Sequence, residues 1–409
     1  MLRPFALLFA LVAGAALAIL AFTGGDDQPS FGPVTLDPGE PDPFAYESDR
    51  EDEFVERATA GHSHVLYAKS PGGAFATARR VKRWRPEIEA AAGEEIDPDT
   101  LEAIVFLESA GSPTARASDD LEGAAGLTQI LAGTATSLLG MHVDLAQSER
   151  VTRRIERRGP LPRLLRERRR VDERFDPAKA LAGAVRYLTQ ARDHFGRDDL
   201  AVVSYHMGMG NLDNVLAAYG NDEASWPEVY FDATPRNHPR AYELLAGFGD
   251  DSASYLWRVY AAREIMRLYR EDPDELRRLA RLQTAATSSE LVLHPPSEQT
   301  EAVLRPFEGI RGLRVAARAD PGGLRSEAYE LAVYLAAGVR SVSGSRAPLT
   351  VTRLYPDGWS FDVRRRYASG AQAQAFQYML DRLESLNLIA WVRGPREIHV
   401  TAAGEDVIQ

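Results

Sequence analysis

One carboxylate at the end of an apolar segment is the residue of this sequence best placed to do chemistry. The stretch LEAIVFLESAGSPTARASDD, residues 101–120, runs through apolar residues to Glu108 and then changes to small and polar residues. On a helix, this glutamate shares one face with Leu101, Ile104 and Val105. A carboxyl group on such a face loses hydration, which raises its pKa and keeps it protonated near neutral pH. That protonated state is what a general acid requires.

The residues after Glu108 favour this catalytic interpretation. The sequence Ser-Ala-Gly follows at once, and we expect it to end the helix and to open the acid to a cleft. A structural interpretation stays open from these residues alone, because a glutamate at the edge of a core, paired with a buried arginine, would give the same pattern.

Helices must position this acid, since residues 74–282 show a helical pattern almost throughout. Asp97 can cap the helix that carries the acid, and Pro98 then takes its first position. The dipeptide Asp176-Pro177 repeats this start further along the chain, and Gly196 ends that second helix. The fold class expected is therefore mostly α over residues 74–284.

The N-terminal region predicts export. Residues 1–25 contain one arginine followed by an uncharged run from Pro4 to Phe22, which is typical of a signal peptide or a membrane anchor. Residues 26–73 are rich in Pro, Gly and acidic residues and predict a solvated linker. We therefore expect an extracytoplasmic protein, with a membrane as partner if the N-terminal segment is retained.

The bulk composition excludes some classes of function. The net charge of −11 argues against a nucleic-acid binder, and the absence of cysteine excludes disulfides and thiol chemistry. Residues 285–300 carry polar residues and a Pro pair and predict a second linker. Residues 301–409 alternate strand-like stretches with helical ones, which indicates a small α+β domain with a mostly antiparallel sheet.

An arginine-rich insert, residues 148–175, stands out within this acidic chain. One interpretation is a pair of solvated helices. The other is contact with anionic wall polymers or lipid head groups.

Four sequence elements, in order, resemble the soluble lytic transglycosylase family, which has a lysozyme-like, goose-type helical fold. The elements are ESAG at 108–111, GAAGLTQI at 123–130, the helix pair at 174–212, and DSASYLWRVYAAREIM at 251–266. The third element resembles a helix pair that ends in Ala-Tyr-Asn-Ala-Gly in the family, and in this chain the ending reads Ser-Tyr-His-Met-Gly at 204–208.

The resemblance implies a peptidoglycan lytic transglycosylase. Its substrate would be the glycan strand, cut at the β-1,4 bond between N-acetylmuramic acid and N-acetylglucosamine without water. Glu108 would serve as the single acid and base, with a 1,6-anhydro product. The resemblance implies no cofactor and no metal, because the nucleophile belongs to the substrate. Hydrolases of glycosidic bonds generally need a second carboxylate.

The resemblance also implies which residues bind the sugars. Ser109 and Gln129 would form hydrogen bonds to N-acetyl or hydroxyl groups. Tyr205 and Tyr255 would orient the acid or line the sugar site, although core packing explains tyrosines there as well. Gly126, with its neighbour Gly123, would let the backbone lie close to the glycan, and turn formation alone would explain both glycines too.

Two departures from the family pattern keep alternatives open. His206 stands where the family usually has Asn, and an imidazole can donate a hydrogen bond but can also carry charge. Asp119 and Asp120 follow the helix, and if one reached the sugar the enzyme would be a hydrolytic goose-type muramidase. A third possibility is a wall-binding scaffold without catalysis.

The C-terminal domain has a weaker resemblance to zinc D-Ala-D-Ala carboxypeptidases. Gly358, Asp362 and His399 fit the places of that motif, but Tyr355 occupies the place of its first histidine. Since a catalytic zinc needs about three protein ligands, we expect a degenerate domain without metal. Coincidental spacing is the alternative.

Overall fold

The structure is a computed structural model that describes most of the chain. The residues it describes are 46–233, 237–248, 250–284, 313–315, 327–354, 360–385, 389–394 and 396–402. The predicted leader at 1–25 and the predicted linker at 285–300 lie outside them. Among the described residues, no helix is both long and apolar enough to span a bilayer.

Helices make up most of the described chain, which confirms the mostly α fold class. The helices are α1 (Glu51–Lys69), α2 (Ala74–Lys82), α3 (Arg85–Ala92), α4 (Pro98–Ser109), α5 (Ala132–Ser137), α6 (Leu145–Arg158), α7 (Pro162–Val171), α8 (Pro177–Phe195), α9 (Asp198–Met207), α10 (Met209–Tyr219), α11 (Trp226–Asp232), α12 (Pro239–Gly247), α13 (Tyr255–Glu271), α14 (Pro273–Thr284), α15 (Glu327–Ser343) and α16 (Gly370–Ser385).

Two compact units divide the chain. Within the described residues, the first comprises 69–225 and 244–276, and the second comprises 46–68, 226–243 and the residues from 277 onward. The second unit thus gathers three separate segments, whereas the sequence predicted contiguous domains at 74–284 and 301–409.

Helix α4 is the central element of the first unit. Its start is the predicted one, because the Asp97 side chain accepts a hydrogen bond from the Asp99 N–H and Pro98 holds the first position. Helices α2, α3 and α13 all pack against it. As a result, every residue from 100 to 106 is buried, whereas the sequence indicated a single apolar face.

Burial on all sides explains an unexpected acid within α4. Glu102 is fully buried, and its Oε2 lies 3.0 Å from Nη1 of Arg85 and also pairs with Arg270. Burial raises the pKa of Glu102, and the two guanidinium groups oppose this change. Helix α4 therefore does contain a buried glutamate paired with arginine, but this residue is Glu102 and not Glu108.

Helices α8 and α9 form the predicted pair behind the site. The Asp176 side chain accepts from the Lys179 N–H, Pro177 takes the first position, and Gly196 ends α8 with a φ of 71°. Both sequence-predicted ends of α8 are thus confirmed.

The arginine-rich insert folds as α6 and α7, which pack on each other and are joined by three residues. A fully buried ion pair follows α7, with Nη2 of Arg174 lying 2.8 Å from Oδ2 of Asp172. The same guanidinium donates to the carbonyls of Leu121 and Gly123, each at 2.8 Å. This pair therefore connects the insert to the loop at 121–130, which we call the glycine loop.

The linker predicted at 26–73 is helical over α1, and the prediction is wrong for that part. Phe54, Ala58, Leu66 and Tyr67 are buried, and their spacing places them on two adjoining stripes of the helix. The segment combines this apolar pattern with an acidic composition that is typical of linkers, and the apolar pattern determines its structure.

The second unit contains the small sheet expected from the sequence. Strand β1 is parallel to β2, and the other neighbours are antiparallel, in the order β1-β2-β3-β5-β4. Helices α15 and α16 cover the sheet and share its core with Phe361, Val400 and Trp391. The strands are β1 (Leu313–Val315), β2 (Leu349–Leu354), β3 (Ser360–Arg364), β4 (Ile389–Arg393) and β5 (Glu397–Ala402).

Candidate active site

The carboxyl group of Glu108 lies in the last turn of α4 and is held by a phenol. Oη of Tyr255 donates a hydrogen bond of 2.7 Å to Oε1 of Glu108. The glutamate is only partly exposed. Burial raises its pKa, although the Tyr255 hydrogen bond and the nearby His206 both act to lower it. The predicted protonated acid at this helix end is thus supported by its surroundings.

Backbone contacts fix the end of the helix that carries this acid. Ala110 adopts a left-handed φ of 51°, and Gly111 continues with a φ of 76°. Nε of Arg80 donates to the Ala110 carbonyl at 3.0 Å, and Nε1 of Trp84 donates to the Gly111 carbonyl at 2.9 Å. Two side chains therefore hold the chain directly after Glu108, which limits the movement of the carboxyl group.

An imidazole forms the second layer around the acid. The ring of His206 stacks on the ring of Tyr255, with centroids 5.0 Å apart and planes 12° from parallel. Nε2 of His206 lies 3.3 Å from Oδ1 of Asp251, whose other oxygen pairs with Arg258. The hydrogen bond from Tyr255 to Glu108 thus joins α13 to α4, and the ring stack of Tyr255 with His206 joins α13 to α9.

This arrangement determines the charge of the imidazole. Burial acts to lower the pKa of His206, but the hydrogen bond that its ring donates to Asp251 and the charges of Glu108, Asp251 and Asp250 outweigh it and raise the pKa. The Asp251 carboxyl has a lowered pKa despite its burial, because His206 and Arg258 both stabilise the ionised form. His206 is therefore biased toward the imidazolium form next to Glu108.

Tyr205 also lies close to the acid. Oη of Tyr205 donates to the Thr128 carbonyl at 2.8 Å, and its ring packs edge-on against Tyr187 at 5.2 Å. Burial and the charge of Glu108 raise the pKa of this phenol. Tyr205 therefore links the glycine loop to α9, beside Glu108, without a direct hydrogen bond to it.

The glycine loop has a strict steric requirement at Gly126. This residue has a φ of +83°, and a Cβ atom there would lie 1.7 Å from the Arg174 carbonyl oxygen. Only glycine fits, because both the left-handed backbone and the close approach exclude a side chain. The constraint comes from the protein backbone, and contact of Gly126 with a glycan stays a prediction.

Gln129 and Ser109 are both buried, with their donors engaged by the backbone. Nε2 of Gln129 donates to the Gly126 carbonyl at 2.7 Å, while its Oε1 accepts no hydrogen bond from the described residues. Oγ of Ser109 donates to the Val105 carbonyl at 3.2 Å. Sugar binding by either residue stays a prediction.

The two acids considered for a hydrolytic mechanism lie in the loop after α4. Asp119 is fully exposed and only 4.0 Å from Arg116, and Asp120 accepts from the Glu122 N–H at 2.9 Å. Among the described residues, neither aspartate forms a hydrogen bond or an ion pair with another residue of the Glu108 site.

Sequence reasoning missed Asp251 and Arg258 as members of this site. The available indication was the Asp pair at 250–251, directly before the element containing Tyr255. Carboxylates in loops are usually solvated, so no local pattern predicts that one lies against His206.

One cluster among the described residues has the composition of a metal site. Ligand atoms of His206, Asp250 and Asp251 lie within 4.8 Å of one another. The two oxygens of Asp251 already pair with His206 and Arg258, so its charge is neutralised by protein groups. We assign no metal to this cluster.

The residues of the C-terminal motif are only partly described, since Tyr355 and Gly358 lie outside the described residues. Asp362 and His399 face each other across β3 and β5, and Nδ1 of the histidine lies 2.8 Å from Oδ1 of the aspartate. The ring of His62 stacks on His399 at 5.9 Å. The carboxypeptidase resemblance stays a prediction.

Comparison with known proteins matches the part of the chain that carries this site. No curated protein sequence matches significantly. The family model described as Transglycosylase SLT domain matches residues 85–226, which include Glu108, the glycine loop and His206. Residues 85–226 therefore match the transglycosylase SLT domain family, over less than half of the chain.

Proposed function

We propose that this protein is an exported peptidoglycan lytic transglycosylase that cleaves the β-1,4 bond between N-acetylmuramic acid and N-acetylglucosamine. The observation that carries the proposal is the hydrogen bond of 2.7 Å from Tyr255 to Glu108 at the end of α4. This hydrogen bond orients a partly exposed carboxyl group whose pKa is raised by burial. The family match over residues 85–226 supports the same reaction class.

In the first step, Glu108 acts as the general acid. Its carboxyl proton passes to the glycosidic oxygen, and the bond from this oxygen to the anomeric carbon of muramic acid breaks. The electron pair leaves with the N-acetylglucosamine oxygen. The Glu108 carboxylate that remains is stabilised by the Tyr255 hydroxyl and by the imidazolium of His206, because both favour negative charge at this position.

In the second step, the same carboxylate acts as the base. It removes the proton from the 6-hydroxyl of muramic acid, whose oxygen then bonds to the anomeric carbon. The product is a 1,6-anhydro end, and Glu108 regains its proton without a water molecule. One carboxylate suffices for this sequence, whereas hydrolysis would call on a second one.

Digestion of purified peptidoglycan by the full chain tests the proposal. We expect muropeptides with anhydro ends, which mass spectrometry distinguishes from reducing ends by the mass of one water. Glu108→Gln should abolish release, since general acid catalysis contributes on the order of 10²–10⁴ in rate. Glu94→Gln, a change at an exposed acid of the same unit, is the matched control.

Reducing ends in place of anhydro ends would overturn the proposal in favour of the hydrolytic muramidase. In that case Asp119→Asn or Asp120→Asn should reduce release as Glu108→Gln does. If the parent protein and Glu108→Gln both bind the wall and neither releases muropeptides, the result would favour the scaffold.

Export is the remaining part of the proposal. The uncharged run from Pro4 to Phe22 supports a leader or anchor. Expression of the full chain followed by cell fractionation and N-terminal sequencing tests it. A protein recovered inside the cell with its leader intact would contradict export.

A further inference from the structure

Helices α6 and α7 present a row of arginines that the proposed catalysis does not use. We call this row the arginine face. Residues 145–171 contain ten arginines, three glutamates and no lysine, so this segment carries a net charge of +7 within a chain of −11. The face consists of Arg150, Arg153, Arg157, Arg163, Arg166 and Arg170, all of them exposed.

The arginines lie opposite the buried side of each helix. On α6, Ser148, Val151 and Thr152 are buried, while the arginines follow an i, i+3, i+7 spacing on the other side. The same spacing recurs on α7 at Arg163, Arg166 and Arg170, and Leu164 of this helix is fully buried. Because residues at this spacing share one helical face, each helix has one buried, inward side and one cationic, outward side.

Most of this charge is not neutralised by neighbours. Arg153 pairs with Glu149 at 2.9 Å and Arg154 pairs with Glu167 at 2.6 Å. Among the described residues, no carboxylate lies within ion-pair distance of Arg150, Arg163 or Arg170. Like charges three and four residues apart destabilise a helix, so folding of α6 and α7 alone does not favour this pattern.

The chemistry of the face indicates the kind of partner. A guanidinium group is planar and forms two parallel hydrogen bonds to phosphate, which lysine does not do. Membrane-surface helices bury apolar side chains in the head-group region, but here Val151 and Leu164 point inward and are buried. The face therefore suits a phosphate-bearing chain lying along it better than insertion into a bilayer.

We propose that the arginine face binds a linear anionic polymer whose charges are phosphodiester groups. The face belongs to the same compact unit as Glu108. It is connected to that site through Arg116, which lies 2.8 Å from Glu156 of α6, and through the buried pair of Asp172 and Arg174. The inference does not depend on the proposed catalysis.

Binding of the full chain to poly(glycerol phosphate) tests this inference directly. The test variant replaces Arg150, Arg157, Arg163 and Arg170 with Gln, which preserves helix propensity. The control variant removes the same number of charges at exposed positions elsewhere, through Gln at Arg79, Lys82, Arg83 and Arg281. Circular dichroism and thermal unfolding establish that both variants are folded.

We expect the test variant to bind at least about tenfold more weakly and with a flatter dependence on salt, because fewer counterions are released. The control variant should bind as the parent does. Equal affinity of the two variants would overturn the inference. If the parent binds poly-glutamate as tightly as poly(glycerol phosphate), the face attracts negative charge without recognising phosphate, and the inference is wrong. If it binds phosphatidylglycerol vesicles and not the polymer, the partner is a membrane surface, and the inference is wrong as well.

Discussion

At the scale of single residues, the site combines an acid, a phenol and an imidazole in layers. Tyr255 lies between Glu108 and His206, with a hydrogen bond on one side and a ring stack on the other. Asp251 and Arg258 complete the arrangement behind the imidazole. Tyr255, His206 and Asp251 each influence the pKa of Glu108.

The first prediction concerns stability. Burial raises the pKa of Glu108 above its usual 4.5, so the folded protein holds this proton more tightly than the unfolded chain. The contribution of this bound proton to the free energy of unfolding is fully present at pH values below the usual pKa of glutamate. It is lost as pH rises through the raised value, at about 1.4 kcal/mol for each unit between the two.

Glu108→Gln removes this titration while it preserves the shape of the side chain. We expect the variant to gain stability relative to the parent as pH rises from about 4, with the difference levelling off above the raised pKa. Urea unfolding at a series of pH values measures this. A difference that does not vary with pH would contradict the prediction.

The second prediction concerns the pH dependence of wall cleavage. The positive charge of His206 lowers the pKa of Glu108. His206→Asn removes that charge, so the pKa of Glu108 should rise and the alkaline limb of the activity profile should move to higher pH. The profile of muropeptide release measures this effect.

The control is His194→Asn, a change at an exposed histidine of α8 that pairs with Asp213. It should leave the profile unchanged. An alkaline limb at the same pH in the parent and in His206→Asn would show that the imidazole does not influence the acid.

At the scale of elements, the buried pair of Asp172 and Arg174 connects the insert to the glycine loop. Arg174 satisfies the carbonyls of Leu121 and Gly123, and its own carbonyl packs against Gly126. This one residue therefore determines how closely two segments of the first unit approach each other.

The third prediction is that Arg174→Gln destabilises the protein by about 3–5 kcal/mol, because it leaves the buried charge of Asp172 unpaired. Urea unfolding measures the change. Arg153→Gln, which breaks an exposed ion pair with Glu149, should cost less than about 1 kcal/mol. Similar costs for the two variants would contradict the assigned role of the buried pair.

Local patterns predicted the elements better than the contacts between them. The start of α4 at Asp97 and both ends of α8 follow from capping chemistry that lies within a few residues. The contact of Asp251 with His206 spans 45 residues in sequence, and it depends on how α9 and α13 pack. The helix α1 was missed because its apolar residues lie in an acidic segment.

The candidate acid could be predicted for the same reason. Glu108 follows an apolar helix directly, so the sequence alone indicates its burial. The engagement of Ser109 by the Val105 carbonyl, and of Gln129 by the Gly126 carbonyl, depends on rotamers and backbone angles that no spacing rule specifies.

At the scale of the whole molecule, the second unit joins segments far apart in sequence. The ring of Phe54 on α1 lies 5.0 Å from the ring of Phe231 on α11. Arg393 of β4 donates to the Phe231 carbonyl and lies over the Phe54 ring at 5.6 Å. Helix α1 therefore depends on residues near the other end of the chain.

The fourth prediction follows from this dependence. A chain ended after residue 284 loses Arg393, so α1 should lose protection against hydrogen exchange, since local stability reflects local packing. Helix α4 should retain its protection in the same sample, which serves as the internal control. Equal protection of α1 in the full and shortened chains would contradict the prediction.

The arginine face also gives the molecule a charge separation that its overall composition conceals. With +7 on residues 145–171 and −11 in total, the remainder of the chain carries −18. Such a protein should be retained by both cation-exchange and anion-exchange resins at neutral pH, despite an isoelectric point near 5.4. Retention on both resins would thus show that opposite charges are segregated on the protein surface.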